Sequence, residues 1–213
     1  MRTSTTHPLY VSWIELEGDE GALGLTLCPG KYQPVASTGS WDRQLDVDVK
    51  ALVDMGVSHV ISLITDDDMR VLRVEDLPQQ LQNNGLAWDH LPFADTTAPT
   101  EAWMDMASPV LQKILTTVPE GAKVVVHCMG GLSRAGTFAS LYLWLRGMTM
   151  GEAIHSVREI RSPHCMNPRQ VAFLMDLASG QIASDGDHEE AIGNENDRPI
   201  RFKPTKGKGR GNQ

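Results

Sequence analysis

Long apolar runs are missing from this sequence. None approaches the roughly 20 residues that a membrane-crossing helix needs, so no span is expected. The N-terminal stretch Met1–Trp13 also lacks the positive-then-apolar order of a secretory signal. Cysteine is scarce: Cys28, Cys128 and Cys165 are too few and too far apart for a disulfide framework or a four-ligand zinc site. A reducing, cytoplasmic location is therefore the expectation. Basic residues do not dominate, with 19 Lys and Arg against 27 Asp and Glu and a formal net charge of −8. That balance argues against a nucleic-acid partner. The seven histidines show no metal-ligand spacing, so neither a metal nor another cofactor is expected. What remains is an ordinary globular composition, 41% hydrophobic and 22% charged, in 213 residues.

Short apolar runs bounded by turn residues read as strands at Leu9–Leu16, Leu23–Cys28, Ser58–Ile64, Leu86–Leu91 and Lys123–Cys128. Helical periodicity lies between and after them. It runs over Trp41–Met55, Glu75–Asn84, a stretch capped by Thr100 and interrupted by Pro109, Ala135–Arg146, Met150–Arg161 and Pro168–Ala178. Strands separated by helices pair in parallel. The expected fold is α/β, one central and mostly parallel sheet of about five strands with helices on both faces, spanning residues 1–182.

Beyond Ile182 the composition changes. Residues 183–197 hold six acids and no Lys or Arg, and residues 198–213 hold six bases and no acid. So little apolar surface cannot offset the entropy of ordering, and 183–213 reads as a disordered charged tail. Its basic end offers a contact for an acidic partner.

The informative segment is Lys123-Val-Val-Val-His-Cys-Met-Gly-Gly-Leu-Ser-Arg-Ala-Gly-Thr137. A buried strand runs straight into a loop that opens on Cys128 and reaches Arg134, where a helix begins. The loop residues Met129, Gly130, Gly131, Leu132 and Ser133 can wrap so that their backbone N–H groups converge on one centre. Such a nest at a helix N-terminus suits a phosphate. Arg134 adds a planar fork that matches two phosphate oxygens. A thiol at a helix N-terminus beside a guanidinium favours its ionised form, and the thiolate is the nucleophile. The expected product is a cysteinyl-phosphate that water then hydrolyses.

HCMGGLSRAGT resembles the signature loop of the cysteine-dependent protein tyrosine phosphatases. Its GGLSR core is most similar to the dual-specificity group and, within it, to the kinase-associated phosphatase branch. LCPGKY, GVSHVISLITDDDM and HLPFADTTAP are similar to that branch as well, and the resemblance covers roughly residues 10–180. It implies hydrolysis of phosphotyrosine in a phosphorylated protein, and in the dual-specificity group of phosphoserine or phosphothreonine. It also implies a general acid on a mobile loop ahead of the cysteine. Asp95 fits that position, between Pro92 and Pro99, and Asp89 and Asp105 fit less well because they fall in a strand and a helix pattern. His127 is expected to hydrogen-bond the loop and tune Cys128. Gln170 matches a position where family members often place a glutamine that orients the attacking water.

Many members have Ser or Thr directly after the arginine, where a hydroxyl stabilises the departing thiolate. Here that place is Ala135, and Ser133 and Thr137 are the nearest hydroxyls in sequence. Asp66, Asp67 and Asp68 follow a strand expected to run parallel to the one ending at Cys128, and read as a solvated acidic loop. Three rivals stand beside this reading: a phosphoprotein-binding pseudophosphatase, an arsenate-reductase type of redox enzyme, and a phosphatase of a non-protein phosphate ester. The redox scheme needs resolving cysteines at a telling spacing. The third rival needs extra basic residues in the loop, where Met129 and Leu132 stand.

Overall fold

The computed structural model describes residues 1–36 and 39–180; the expected tail at 183–213 lies outside the described residues. The sheet is built from β1 (Ser12–Ile14), β2 (Ala22–Thr26), β5 (Val57–Ser62), β6 (Ala87–His90) and β7 (Lys123–His127) in the order β1-β2-β7-β5-β6. Four strands are parallel and only the edge strand β1 is antiparallel. A two-residue hairpin, β3 (Tyr32–Gln33) with β4 (Trp41–Asp42), stands apart from the sheet. Among the described residues, seven helices cover both faces: α1 (Leu45–Asp54), α2 (Asp66–Leu72), α3 (Leu77–Asn83), α4 (Glu101–Thr117), α5 (Ser133–Leu145), α6 (Met150–Ile160) and α7 (Pro168–Ala178). The expected α/β architecture is what is found.

The burial pattern explains the layering. Every residue of β2 and four of the five in β7 are buried, as required of strands covered on both faces. Helix α5 is buried from Arg134 to Leu143 and has no polar stripe, because it lies between the sheet and α6 and α7. Gly136 permits that packing, with Cys165, Met166 and Val157 all close to where a Cβ would sit. Pro109 does not break α4. It lies on the exposed face, so the Asp105 carbonyl it leaves without a partner can turn to water.

Strand β1 is shorter than the expected Leu9–Leu16, several other ends shift by one or two residues, and two differences have a direct physical cause. Trp41 and Asp42 belong to β4, so α1 starts only at Leu45; the cause is Arg43, whose side chain turns inward to the buried Asp48 at 2.7 Å. Asp66–Asp68 form the first turn of α2 rather than a solvated loop. Thr65 and Asp68 make a reciprocal capping box there, and three carboxylates near a helix N-terminus suit its dipole.

Parallel pairing then places the site. Thr26 stands opposite His127, His127 opposite Ser62, and Ser62 opposite His90, one row across the carboxyl edge of the sheet. The segments after that row carry Cys28, Cys128, Asp68 and Asp95. Open parallel sheets bind ligands along this edge.

Candidate active site

Cys128 is the first residue beyond β7 and is 2% exposed. The loop it opens is anchored from outside through consecutive carbonyls. Cys28 N–H (3.3 Å) and Lys31 Nζ (3.2 Å) donate to the Met129 carbonyl, while Arg161 donates to those of Gly130 (3.3 Å) and Gly131 (2.9 Å). In a planar peptide the N–H opposes the C=O. With these carbonyls drawn outward, the N–H groups of Gly130, Gly131 and Leu132 turn inward. Among the described residues, no backbone N–H from Met129 to Arg134 has an acceptor. Unsatisfied donors converging at the start of α5 make an anion site. Gly131 has to be glycine: its φ is +67°, and a Cβ would collide with the Thr26 carbonyl.

Arg134 is fully buried and divided in function by its own geometry. Nη1 donates to Asp68 Oδ2 (2.6 Å), the Phe93 carbonyl (3.0 Å) and the Leu63 carbonyl (3.2 Å). Those bonds lock the guanidinium plane. The other edge, Nε and Nη2, is buried without a hydrogen-bond partner; the nearest carboxylate is Asp95, whose Oδ1 lies 3.4 Å from Nε. A buried cationic edge with two parallel donors and, among the described residues, no hydrogen-bond acceptor is costly unless an oxyanion completes it. Asp68, read from sequence as a solvent-facing acid, thus holds this fork in place.

His127 lies beneath the loop with no exposure. Ser62 Oγ accepts from Trp88 Nε1 (2.9 Å) and lies 2.6 Å from His127 Nε2. The Cys128 carbonyl 3.4 Å from Nδ1 can only accept, so Nδ1 carries the proton and Nε2 of the neutral ring accepts from Ser62. Burial pulls the ring down to about 4, so it is neutral at physiological pH.

Asp95 lies on the loop between β6 and α4 and is half-exposed, with Thr96 N–H donating to its Oδ1 at 3.0 Å. Two residues at the start of α7 hold this loop. Asn167 Nδ2 donates to the Thr96 carbonyl (2.9 Å), and Gln170 Nε2 to the Thr97 carbonyl (3.0 Å). Gln170 Oε1 accepts from Ser133 Oγ (2.7 Å) and from Asn167 N–H (3.1 Å). Fully buried and bonded at both ends, Gln170 links three segments in this arrangement. Asp89 pairs with His59 at 2.7 Å. Asp105 lies on the exposed side of α4.

Neither neighbouring hydroxyl substitutes for the one Ala135 lacks. Ser133 Oγ donates to Gln170 and Thr137 Oγ to the Ser133 carbonyl (3.1 Å). The cleft over Cys128 has a volume of about 230 Å³, with Asp95 and the loop on one side and Lys31, Gln33 and Ala36 on the other. A larger hollow of about 360 Å³ at the opposite end of β2 is walled by Glu15, Glu17, Asp19 and Glu20. Its carboxylates do not suit an anion, whereas the smaller cleft carries the loop N–H groups and Lys31. Sequence reading missed Lys31, which lines the cleft, and Arg161, which holds the loop carbonyls from outside it. Nothing local marks them, since their placement depends on the hairpin and on α6.

Residues 35–192 match the family model described as Swiss Army Knife protein, DSP-PTPase phosphatase domain. This chain belongs to that family. Cyclin-dependent kinase inhibitor 3 of Homo sapiens is 28% identical over 161 residues, covering 72% of this chain and 71% of the relative. PRL-1 phosphatase of Drosophila melanogaster is 29% identical over 125 residues, covering 57% and 70%. Among solved structures, kinase associated phosphatase with serine in place of its catalytic-site cysteine superposes with a TM-score of 0.72 at 24% identity, over 83% of this DSP-PTPase chain and 97% of the other. At that identity the likeness concerns the fold.

Proposed function

We propose that this DSP-PTPase domain hydrolyses phosphotyrosine, and also phosphoserine or phosphothreonine, in phosphorylated proteins through a cysteinyl-phosphate. The observation that carries the reading is the buried Nε/Nη2 edge of Arg134, which among the described residues has no hydrogen-bond partner and only the half-exposed Asp95 as counterion at 3.4 Å, close to Cys128 and a run of loop N–H groups without acceptors. The kinase and phosphatase names among its relatives support the same class of partner.

The chemistry follows from placement. The phosphoryl oxygens take the loop N–H groups and the Arg134 fork, which brings phosphorus over Cys128. The Cys128 thiolate forms an S–P bond as the P–O bond to the leaving group breaks. Asp95 gives that oxygen its proton. In the second step Asp95 takes a proton from water, the water oxygen bonds to phosphorus, and the S–P bond breaks to return the thiolate. His127, neutral and beneath the loop, braces the Cys128 carbonyl and moves no proton.

The test is a panel of phosphopeptides with wild type and Cys128→Ser, whose hydroxyl does not ionise in this range. Expected is phosphopeptide turnover by the wild type, a loss on the order of 10⁴-fold or more in the variant, and retained phosphate binding. Near-normal turnover by Cys128→Ser rejects the covalent route. A wild type that binds phosphopeptides without turnover is a pseudophosphatase. Preference for a phosphoinositide or nucleotide over every peptide moves the substrate out of the protein class.

A further inference from the structure

The corner opposite Asp95 is built around a lysine that the reaction as described does not use. After β2 the chain turns at Gly30, whose φ is +73° and whose N–H donates to Asp48 Oδ2 at 2.8 Å. The backbone of Lys31 is then fixed by Arg43 N–H on its carbonyl (3.1 Å). The side chain runs inward beneath the β3–β4 hairpin, leaving the residue 1% exposed. Nζ donates to Gln33 Oε1 (3.0 Å) and the Met129 carbonyl (3.2 Å), and lies 5.2 Å from the centre of the Trp41 ring.

What this ammonium lacks is a counterion. Among the described residues no carboxylate approaches Nζ within 4.0 Å. Asp48, the buried carboxylate of this corner, is taken up by both sides of the Arg43 fork at 2.7 Å. A buried charge with only neutral partners is unfavourable unless an anion joins it. Lys31 lines the same cleft as Cys128.

We infer that Lys31 is a positioning residue of the phosphatase site: it draws the Met129 carbonyl outward and balances the negative charge that Cys128 and the phosphoryl group bring to the cleft. This rests on the phosphatase reading above. The surrounding charges agree with it. Burial lowers the Lys31 ammonium to about 8, Arg43 and Arg161 push the same way, and the sulfurs of Cys28 and Cys128 push back. Cys28 is itself held as a neutral thiol, because burial drives its titration upward. From the other elements, Asp95 lines the cleft beside Arg134, and Asp48 faces Arg43. The anion for Lys31 is therefore at Cys128. With titration near 8, the ammonium is charged at neutral pH and lost above it, so the rate falls as pH rises through that range.

Asp95 is itself the proton donor of the proposed reaction, so the test starts from Asp95→Asn, which has no proton to give to the leaving group. kcat/KM for an aryl phosphate with a good leaving group is followed from pH 6 to 9.5 in Asp95→Asn, and in the same background with Lys31→Met or Lys31→Arg. Melting temperatures check folding. Expected is a fall centred near pH 8 in Asp95→Asn. Lys31→Met should be about tenfold slower at pH 6.5 and should lose that fall. Lys31→Arg should recover most of the rate and stay flat to pH 9.5, because a guanidinium does not titrate there.

A fall near pH 8 that persists unchanged in Lys31→Met overturns the inference. So does a flat profile in Asp95→Asn, which decides the matter even if no Lys31 variant folds. Either result leaves the phosphatase reading standing. A wild type that hydrolyses neither aryl phosphate nor phosphopeptide overturns that reading, and the inference with it.

Discussion

The Cys128–Arg134 loop and the Asp95 loop face one cleft but are held in opposite ways. The first is fixed through its backbone. Its carbonyls are taken by Cys28 N–H, Lys31 and Arg161, its bend requires Gly131, and its arginine is locked by three acceptors. The second is fixed by two amide side chains from α7 reaching the carbonyls of Thr96 and Thr97. A loop that must present converging donors needs preorganisation. A loop that delivers a proton and lets product leave gains from a tether that can release. Ser133 and Gln170 join the two at 2.7 Å, so disturbing one is felt by the other.

The sharpest break is Gly131→Ala. Alanine is strained at this φ and its Cβ meets the Thr26 carbonyl, so several inward N–H groups are displaced together. We expect a loss on the order of 1,000-fold in kcat and a destabilisation of about 2 kcal/mol or more. An alanine variant with wild-type kinetics would show that the loop is not held through its backbone.

Next comes the floor of that loop. His127 titrates at about 4 when folded, against an ordinary value of 6.5. Between those values the unfolded chain binds a proton that the folded chain excludes. Stability is therefore full above pH 6.5 and falls as the pH drops toward 4, by about 3 kcal/mol in total. Urea midpoints at pH 7 and pH 4.5 measure this, and His127→Asn should shrink the difference. Equal losses in both chains would place the acid sensitivity elsewhere.

The acid loop should break more selectively. Asp95→Ala is expected to lower kcat/KM for a phosphopeptide about 100-fold while barely changing kcat/KM for an aryl phosphate that needs no proton on its leaving group. Gln170→Ala should follow the same pattern at about tenfold, because it frees the loop rather than removing the acid. If Gln170→Ala slowed both substrates equally, its role would be general packing and the tether would be no tether.

How far the sequence could be read follows the same division. The strand, the glycines, Cys128 and Arg134 are contiguous, so their spacing alone placed them at a sheet-to-helix junction. Asp95 is singled out by the family resemblance; Pro92 and Pro99 mark the loop that carries it, between a strand and a helix, but not its role. Lys31, Arg161 and Asn167 were not legible, since each reaches the site across many residues and through elements whose packing has no local signature. Asp68 was misread although Thr65 stands three residues before it. That spacing is a capping box, and a run of three acids drew attention to charge instead of helix initiation. The late start of α1 has the same kind of cause, a buried Arg43–Asp48 pair that overrides helical periodicity.

The smallest effect tests the join between the two halves of the reaction. Ala135→Ser would set a hydroxyl where none of the present ones reaches, and one neutral donor to the departing sulfur is worth about 1 kcal/mol, or roughly fivefold in the second step. Rapid mixing should show a burst of leaving group in the wild type that shrinks in the variant as the steady rate rises. No burst and no gain would mean that the loop N–H groups already supply this stabilisation.

The most direct measurement is rapid quenching during turnover of an aryl phosphate, followed by mass spectrometry of the digested chain. The account predicts one phosphoryl group on the peptide containing Cys128 in the wild type and none in Cys128→Ser. Full turnover with that peptide unmodified at every quench time, or with the phosphoryl group on another residue, would contradict it.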